Sequence, residues 1–295
     1  MRVLWPEMNE YHALTAELRR DYMEYPSVVG LETLSACNAR CGFCSYRTRQ
    51  DKGTRASMKV LLAVRDGLST LPADRTVAVN LAGTNEPLLD AAIFDSYRLL
   101  MAAHAGVEGL LYTNASMLSA ARLDELVSIE RWRRISVSLN AIGPDDYRRT
   151  MGLDWERTTD ALDRLHLLLG TAVSAEVVIT RVSDAAAADQ AFVQYCRERW
   201  PRCRVKVRPR GGPLGSRSGG SAASEGCSQW FKIHFLPDGR EKLCCVDTGG
   251  LVVPALNVQT TPLLEIYNSS WRTRLRSVVT RREAAYPCAA CEYRV

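Results

Sequence analysis

Three cysteines in the segment Glu32-Thr-Leu-Ser-Ala-Cys37-Asn-Ala-Arg-Cys41-Gly-Phe-Cys44 carry the sharpest chemical signal in the chain. Thiolates are the ligands of iron–sulfur clusters, and cysteines this close in a loop can wrap three corners of a cube. Three ligands leave one iron with an open position, where a cofactor or substrate can bind. Two blander readings stand beside this one: a zinc site short of a ligand, or three unrelated core thiols. A second group, Cys227, Cys244, Cys245, Cys288 and Cys291, lies beyond residue 226. Cys196 and Cys203 fall between the groups and read as packing residues.

Ten cysteines in 295 residues would suit disulfides in an exported chain. Residues 1–14, however, carry Arg2, Glu7, Glu10 and His12 where a signal peptide needs an apolar stretch. A cytoplasmic location is therefore expected, where thiols stay reduced and clustered cysteines more often bind metal. No apolar run reaches 18 residues, so no membrane partner is expected. The net charge of +5 comes without a block of like charges, and no nucleic-acid partner is expected either.

The elements that must position the first cysteines follow from periodicity. Short β-branched runs at 28–34, 76–81, 109–112, 134–139, 175–180 and 204–207 predict six strands. Stretches of helical period at 58–69, 91–105, 119–129, 155–169 and 185–199 predict the helices between them. Ser119 is a predicted N-cap and Gly170 a predicted C-terminal stop. Such alternation implies an α/β fold with parallel strands and right-handed crossovers. Six units are too few to close an eight-fold barrel, so a partial (β/α)6 TIM-like barrel is expected. Chemistry in such sheets gathers at the carboxyl ends of the strands. Three regions are predicted: a helical extension at 1–27, the barrel at 28–209, and a small C-terminal domain at 210–295 that opens on a Gly- and Ser-rich connector. The last has too little apolar material to fold alone and would need a metal staple.

At this point the chain resembles the radical S-adenosylmethionine (radical SAM) superfamily. Leu81-Ala-Gly83-Thr-Asn85-Glu86-Pro87 is similar to the family's Gly-Gly-Glu-Pro segment after the second strand, with Asn85 where the second Gly is usual. That resemblance implies that Gly83, Asn85 and Glu86 contact the methionine amino group. Tyr112-Thr113-Asn114 resembles the third-strand segment, and Ser136-Val-Ser138-Leu-Asn140 the fourth, whose Ser and Asn reach the cofactor's ribose or carboxylate. Arg181 falls where the family can place a carboxylate-binding Arg. The resemblance further implies that S-adenosylmethionine chelates the free iron of a [4Fe–4S] cluster held by Cys37, Cys41 and Cys44. One electron then breaks a C–S bond, and the resulting 5′-deoxyadenosyl radical takes a hydrogen atom from the substrate. A flavodoxin- or ferredoxin-type electron donor is the implied partner.

The C-terminal region resembles the SPASM/twitch domains of these enzymes, which hold auxiliary [4Fe–4S] clusters. Four ligands suit one such cluster, giving Cys227, Cys244, Cys288 and Cys291 as its ligands and two clusters in all. Structural zinc is the competing reading, although Cys227 and Cys244 are too widely spaced for a ribbon knuckle. Cys245 is left over: a substitute ligand, an inert thiol, or a hydrogen-atom donor to a substrate radical. A donor on the face opposite the abstracting radical would invert the carbon, so an epimerase is the first expectation. The whole is similar to aminoglycoside-modifying enzymes of the neomycin C epimerase type, in antibiotic biosynthesis. A polycationic substrate would need acidic groups, for which Glu225, Asp238, Asp247 and Glu292 are candidates. The alternatives are a dehydrogenase that oxidises an aminocyclitol or sugar alcohol to a ketone, and a peptide-modifying maturase.

Overall fold

The computed structural model describes residues 16–183, 185–208, 227–245, 247–250, 254, 256–277 and 288. Its centre is a set of short strands: β1 (Val28–Leu31), β2 (Val77–Asn80), β3 (Val107–Thr113), β4 (Trp132–Ser138), β5 (Glu176–Val182) and β6 (Arg204–Arg208). They pair in chain order and all in parallel. Parallel neighbours need long crossovers, and helices supply them. These are α1 (Met58–Ser69), α2 (Ile93–Ala102), α3 (Ala120–Val127), α4 (Pro144–Met151), α5 (Trp155–Leu168) and α6 (Ala186–Arg199). The caps follow from local chemistry: Ser57, Ser119 and Asp154 each accept a backbone N–H of the first turn. α4 was not expected from the sequence. Its polar face hides the period, but Pro144 at its first turn and Gly152 at φ 68° after its end mark both limits.

Alternation gives the sheet two unlike faces. Val29, Leu31, Val79, Leu111, Ile135, Val137 and Ile179 pack outward against apolar helix positions such as Val60, Val64 and Leu68 of α1. Inward, only Val28, Ala78 and Leu110 form a small apolar floor. Val178 and Val182 of β5 also face inward, and most of the other inward positions are polar. This partial TIM-like barrel therefore has an apolar helix-covered side and a more polar interior.

The sheet does not stop at six strands. β7 (Lys232–Phe235) pairs in parallel with β1, and β8 (Glu241–Lys242) pairs antiparallel with β7. The order is β6-β5-β4-β3-β2-β1-β7-β8. Residues beyond the connector thus begin by extending the barrel's own sheet. Gly30 permits this, because a Cβ there would collide with the imidazole of its register partner His234. Behind these strands stand α7 (Leu263–Tyr267) and α8 (Ser270–Ser277). The buried Arg272 of α8 binds the Glu241 carboxylate and donates to the carbonyls of Lys232 (3.0 Å) and Lys242 (3.1 Å). Among the described residues, no helix is long and apolar enough to cross a membrane.

Candidate active site at the strand ends

The loop after β1 carries Cys37, Cys41 and Cys44, all half-buried. Backbone bonds fix it to the neighbouring strand ends: Glu86 N–H donates to Ala36 O at 2.8 Å, and Arg40 N–H to Met151 O at 2.7 Å. Asn114 Nδ2 donates to Asn38 Oδ1 at 2.9 Å, and Asn38 Nδ2 to Ser116 Oγ at 2.9 Å. Burial pushes the Cys37 thiol up to about 11 and Cys41 to about 12, and raises Cys44 as well. The thiols add to this by repelling one another as thiolates, so they stand as neighbours. Three neighbouring half-buried thiols in one loop are a donor set whose chemistry fits iron. Among the described residues, no three His, Cys, Asp or Glu side chains gather at the spacing of a single metal ion.

Glu86 follows β2 and is fully buried, which raises its carboxyl to about 7 against three opposing hydrogen bonds. Oε1 accepts from Thr113 Oγ1 (2.6 Å) and Leu88 N–H (3.1 Å), and Oε2 from Asn114 N–H (2.7 Å). The carboxylate thus joins the ends of β2 and β3. Asn85 uses its amide in the same way, donating to Leu34 O and accepting from Gly83 N–H. Asn140 sits at φ 60°, with Oδ1 accepting from Val182 N–H at 2.8 Å and Nδ2 3.1 Å from Met151 Sδ. Cys41 Sγ lies 3.3 Å from that same sulfur, so Met151 links the first cysteine loop to the end of β4. Ser138 is half-buried at the end of β4, with Thr180 Oγ1 at 3.5 Å. Arg181, expected to meet a ligand carboxylate, points instead to the helix side. There it binds Asp189 of α6 at 2.8 Å and the carbonyl of Asn140. Its visible work is to brace Asn140.

Of the second cysteine set, Cys227, Cys244 and Cys288 are buried in one cluster with Leu18, Trp230, Phe231, Leu243 and Leu275. Trp230 Nε1 lies 3.4 Å from Cys288 Sγ. Cys291 lies outside the described residues. Cys245 is exposed, unlike its neighbour Cys244, and is close enough to Lys232 for its charge to act on the ammonium. Cys196 and Cys203 are both in the main core. Of the carboxylates considered for a polycation, Asp238 pairs with Arg240 at an exposed turn, and buried Asp247 accepts from Leu243 N–H at 3.0 Å. Glu225 and Glu292 lie outside the described residues.

Several inward-facing residues went unnoticed in the sequence. Glu32, just past β1, is bound to Arg49 through Oε1 at 2.5 Å, while its Oε2 has no partner. Lys242 Nζ is buried and also without a partner. Both reach the space beside Gly83, where an added Cβ would lie 3.0 Å from Glu32 Oε2 and 3.2 Å from Lys242 Nζ. His234 Nε2 and Ser136 Oγ are buried and unpartnered on the same face. Burial, then Lys242 and Lys232, hold the imidazole neutral. Strict alternation in Arg204-Val-Lys206-Val-Arg208 and Lys232-Ile-His234-Phe was the available signal. Buried polar atoms left open in a native fold mark a place for water or ligand.

The strand order, the three-cysteine loop and the polar strand ends define a radical SAM fold. The Radical SAM superfamily matches residues 31–186, more than half of the chain, and the protein belongs to that superfamily. Its members use S-adenosylmethionine with a [4Fe–4S] cluster. No curated protein matches the sequence. Among solved structures, BtrN in complex with AdoMet and 2-DOIA superposes with a TM-score of 0.61 at 16% identity, covering 90% of this chain and 93% of BtrN. Streptococcus suis SuiB bound to S-adenosylmethionine gives 0.63 at 14% identity, over 91% of this chain and 73% of SuiB. The anSMEcpe protein with bound AdoMet gives 0.67 at 14% identity, over 90% and 85%. At these identities the likeness establishes the fold.

Proposed function

We propose that this radical SAM enzyme removes a hydrogen atom from a carbon of a carbohydrate-like small molecule and inverts that carbon, with Cys245 returning the hydrogen. In this reading Cys37, Cys41 and Cys44 hold the catalytic cluster. Gly83, Asn85, Glu86, Asn114, Ser138 and Asn140 shape the cofactor's seat, with Arg181 bracing Asn140. Cys227, Cys244, Cys288 and Cys291 hold a second cluster. When bound, the cluster and S-adenosylmethionine supply one-electron C–S cleavage and hydrogen abstraction. The chain's own part is to orient the substrate, keep water out and deliver a hydrogen atom from the second face.

The observation that carries this reading is the contrast between Cys245 and the other rear cysteines. Cys227, Cys244 and Cys288 are buried together, while Cys245 is exposed and beside the inward-facing Lys232. A thiol S–H bond is weaker than a sugar C–H bond, so a carbon radical takes that hydrogen downhill. The sulfur is left as a thiyl radical. One electron from a flavodoxin- or ferredoxin-type donor and one proton from water restore the thiol. The structure of BtrN in complex with AdoMet and 2-DOIA supports a second ligand in a fold of this kind.

In deuterium oxide the thiol exchanges, so the product should carry one non-exchangeable deuterium at the inverted carbon. Cys245→Ala should still release 5′-deoxyadenosine but lose the inverted product. A ketone formed without deuterium uptake would replace the epimerase by a dehydrogenase.

A further inference from the structure

We propose that the substrate carries an oxyanion, a phosphate ester or a carboxylate, seated by Lys206, Arg208, Lys232 and Lys242 on the inner face of the sheet. This inference rests on the hydrogen-abstraction reading above for the identity of the chamber, and it replaces a cationic substrate with an anionic one.

The placement follows from register. Val205 of β6 packs against the outer core, so by alternation Lys206 and Arg208 face inward, with Thr180 and Val182 of β5 as their register partners. Ile233 and Phe235 of β7 lie in the same outer core, so Lys232 and His234 face inward, and Lys242 is the register partner of His234. Among the described residues none of the four cations has an ion-pair partner, and Lys242 Nζ and Arg208 Nε are buried without any hydrogen bond. The inward carboxylates are engaged except for Glu32 Oε2, which stays open beside Lys242 Nζ. Glu176 binds Arg134 (2.5 Å) and Arg204 (3.1 Å), and Glu32 binds Arg49. Beside this register, Lys206 at the exposed edge strand is lowered to about 8 by burial and then by Arg208, Arg134, Arg204 and Lys232, while Lys242 and Lys232 both act on His234. Unpaired like charges facing one chamber are costly unless an anion completes them. A polycationic aminoglycoside would add repulsion to the same chamber.

The test uses reconstituted, anaerobic holoenzyme saturated with S-adenosylmethionine, titrated calorimetrically with four probes: glucose 6-phosphate, glucuronate, glucose and paromamine. The expected result is that at least one of the two anions binds about tenfold or more tightly than glucose, with paromamine weakest. Added salt should weaken the anion's binding. Whichever of the phosphate and the carboxylate binds more tightly identifies the source of the oxyanion. Lys206→Gln should reduce that affinity severalfold, and Lys206→Gln with Arg208→Gln by about tenfold. Lys206 makes no side-chain bond, so the single variant should fold normally. The proposal is overturned if no anion binds, if glucose or paromamine binds as well, or if the variants bind the anion unchanged. It is equally overturned if they shift only the reduction potential of a rear cluster, since the cations would then serve that cluster's charge. Binding is read without turnover, so failure here leaves the deuterium experiment on Cys245 to judge the epimerase reading separately.

Discussion

Glu86 spans two roles at the scale of a single residue: a carboxylate that closes three hydrogen bonds, and a buried acid held up to about 7. A carboxyl whose folded pKa lies above its unfolded value of 4.5 binds more protons in the fold across that interval. Its stabilising share is therefore full below pH 4.5 and lost as pH rises through about 7. Cluster-free protein should gain about 1–3 kcal/mol on acidification from pH 8 to 5, by this group alone. Thermal melts of Glu86→Gln should show that slope removed; an unchanged slope would assign it elsewhere. The cysteines permit a sharper count. Replacing Cys37, Cys41 and Cys44 by Ala should abolish 5′-deoxyadenosine release. Replacing Cys227, Cys244 and Cys288 should leave roughly half the iron and the release intact, as measured by iron assay and turnover.

Among the elements, the join between β1 and β7 decides whether the rear of the chain belongs to the barrel. Two features hold it: Gly30, which lets His234 lie across β1, and Arg272, which ties Glu241 to the carbonyls of β7 and β8. Gly30→Ala should cost about 1–3 kcal/mol by overpacking. Arg272→Ala should cost more, about 3–5 kcal/mol, because Glu241 is left buried without its cation. Adding Glu241→Gln to Arg272→Ala should recover much of that loss in a denaturant titration. Full additivity of the two changes would mean the pair is not coupled.

For the whole molecule, the consequence is cooperativity. A chain ending at residue 226 would expose the edge of β1 and open the buried polar groups of Glu32 and Arg49 to solvent. Such a truncation should aggregate or melt well below the full chain, judged by size-exclusion chromatography and thermal unfolding. In the full chain, hydrogen exchange should protect β7 about as strongly as β1, since both are central to one sheet. Protection of β7 lost long before β1 would show a separately unfolding rear unit.

The sequence by itself determined the cysteine loop after a strand, the six parallel strands with their crossovers, and the Ser119 cap, because each depends on neighbours in the chain and on short periods. Resemblance to a family segment also singled out Gly83, Asn85 and Glu86 as the proposed cofactor contacts. Only the tertiary structure decided what those side chains touch. Arg181 lies one residue from Val182, and the single step in a period-two strand turns it to Asp189 and the helices. Glu32 follows β1, His234 lies on β7 and Lys242 on β8, and their shared chamber depends on β7 choosing the free edge of β1. That choice is a long-range pairing, set by the fit of an imidazole over a glycine and by a buried Arg–Glu pair, neither of which has a local signature.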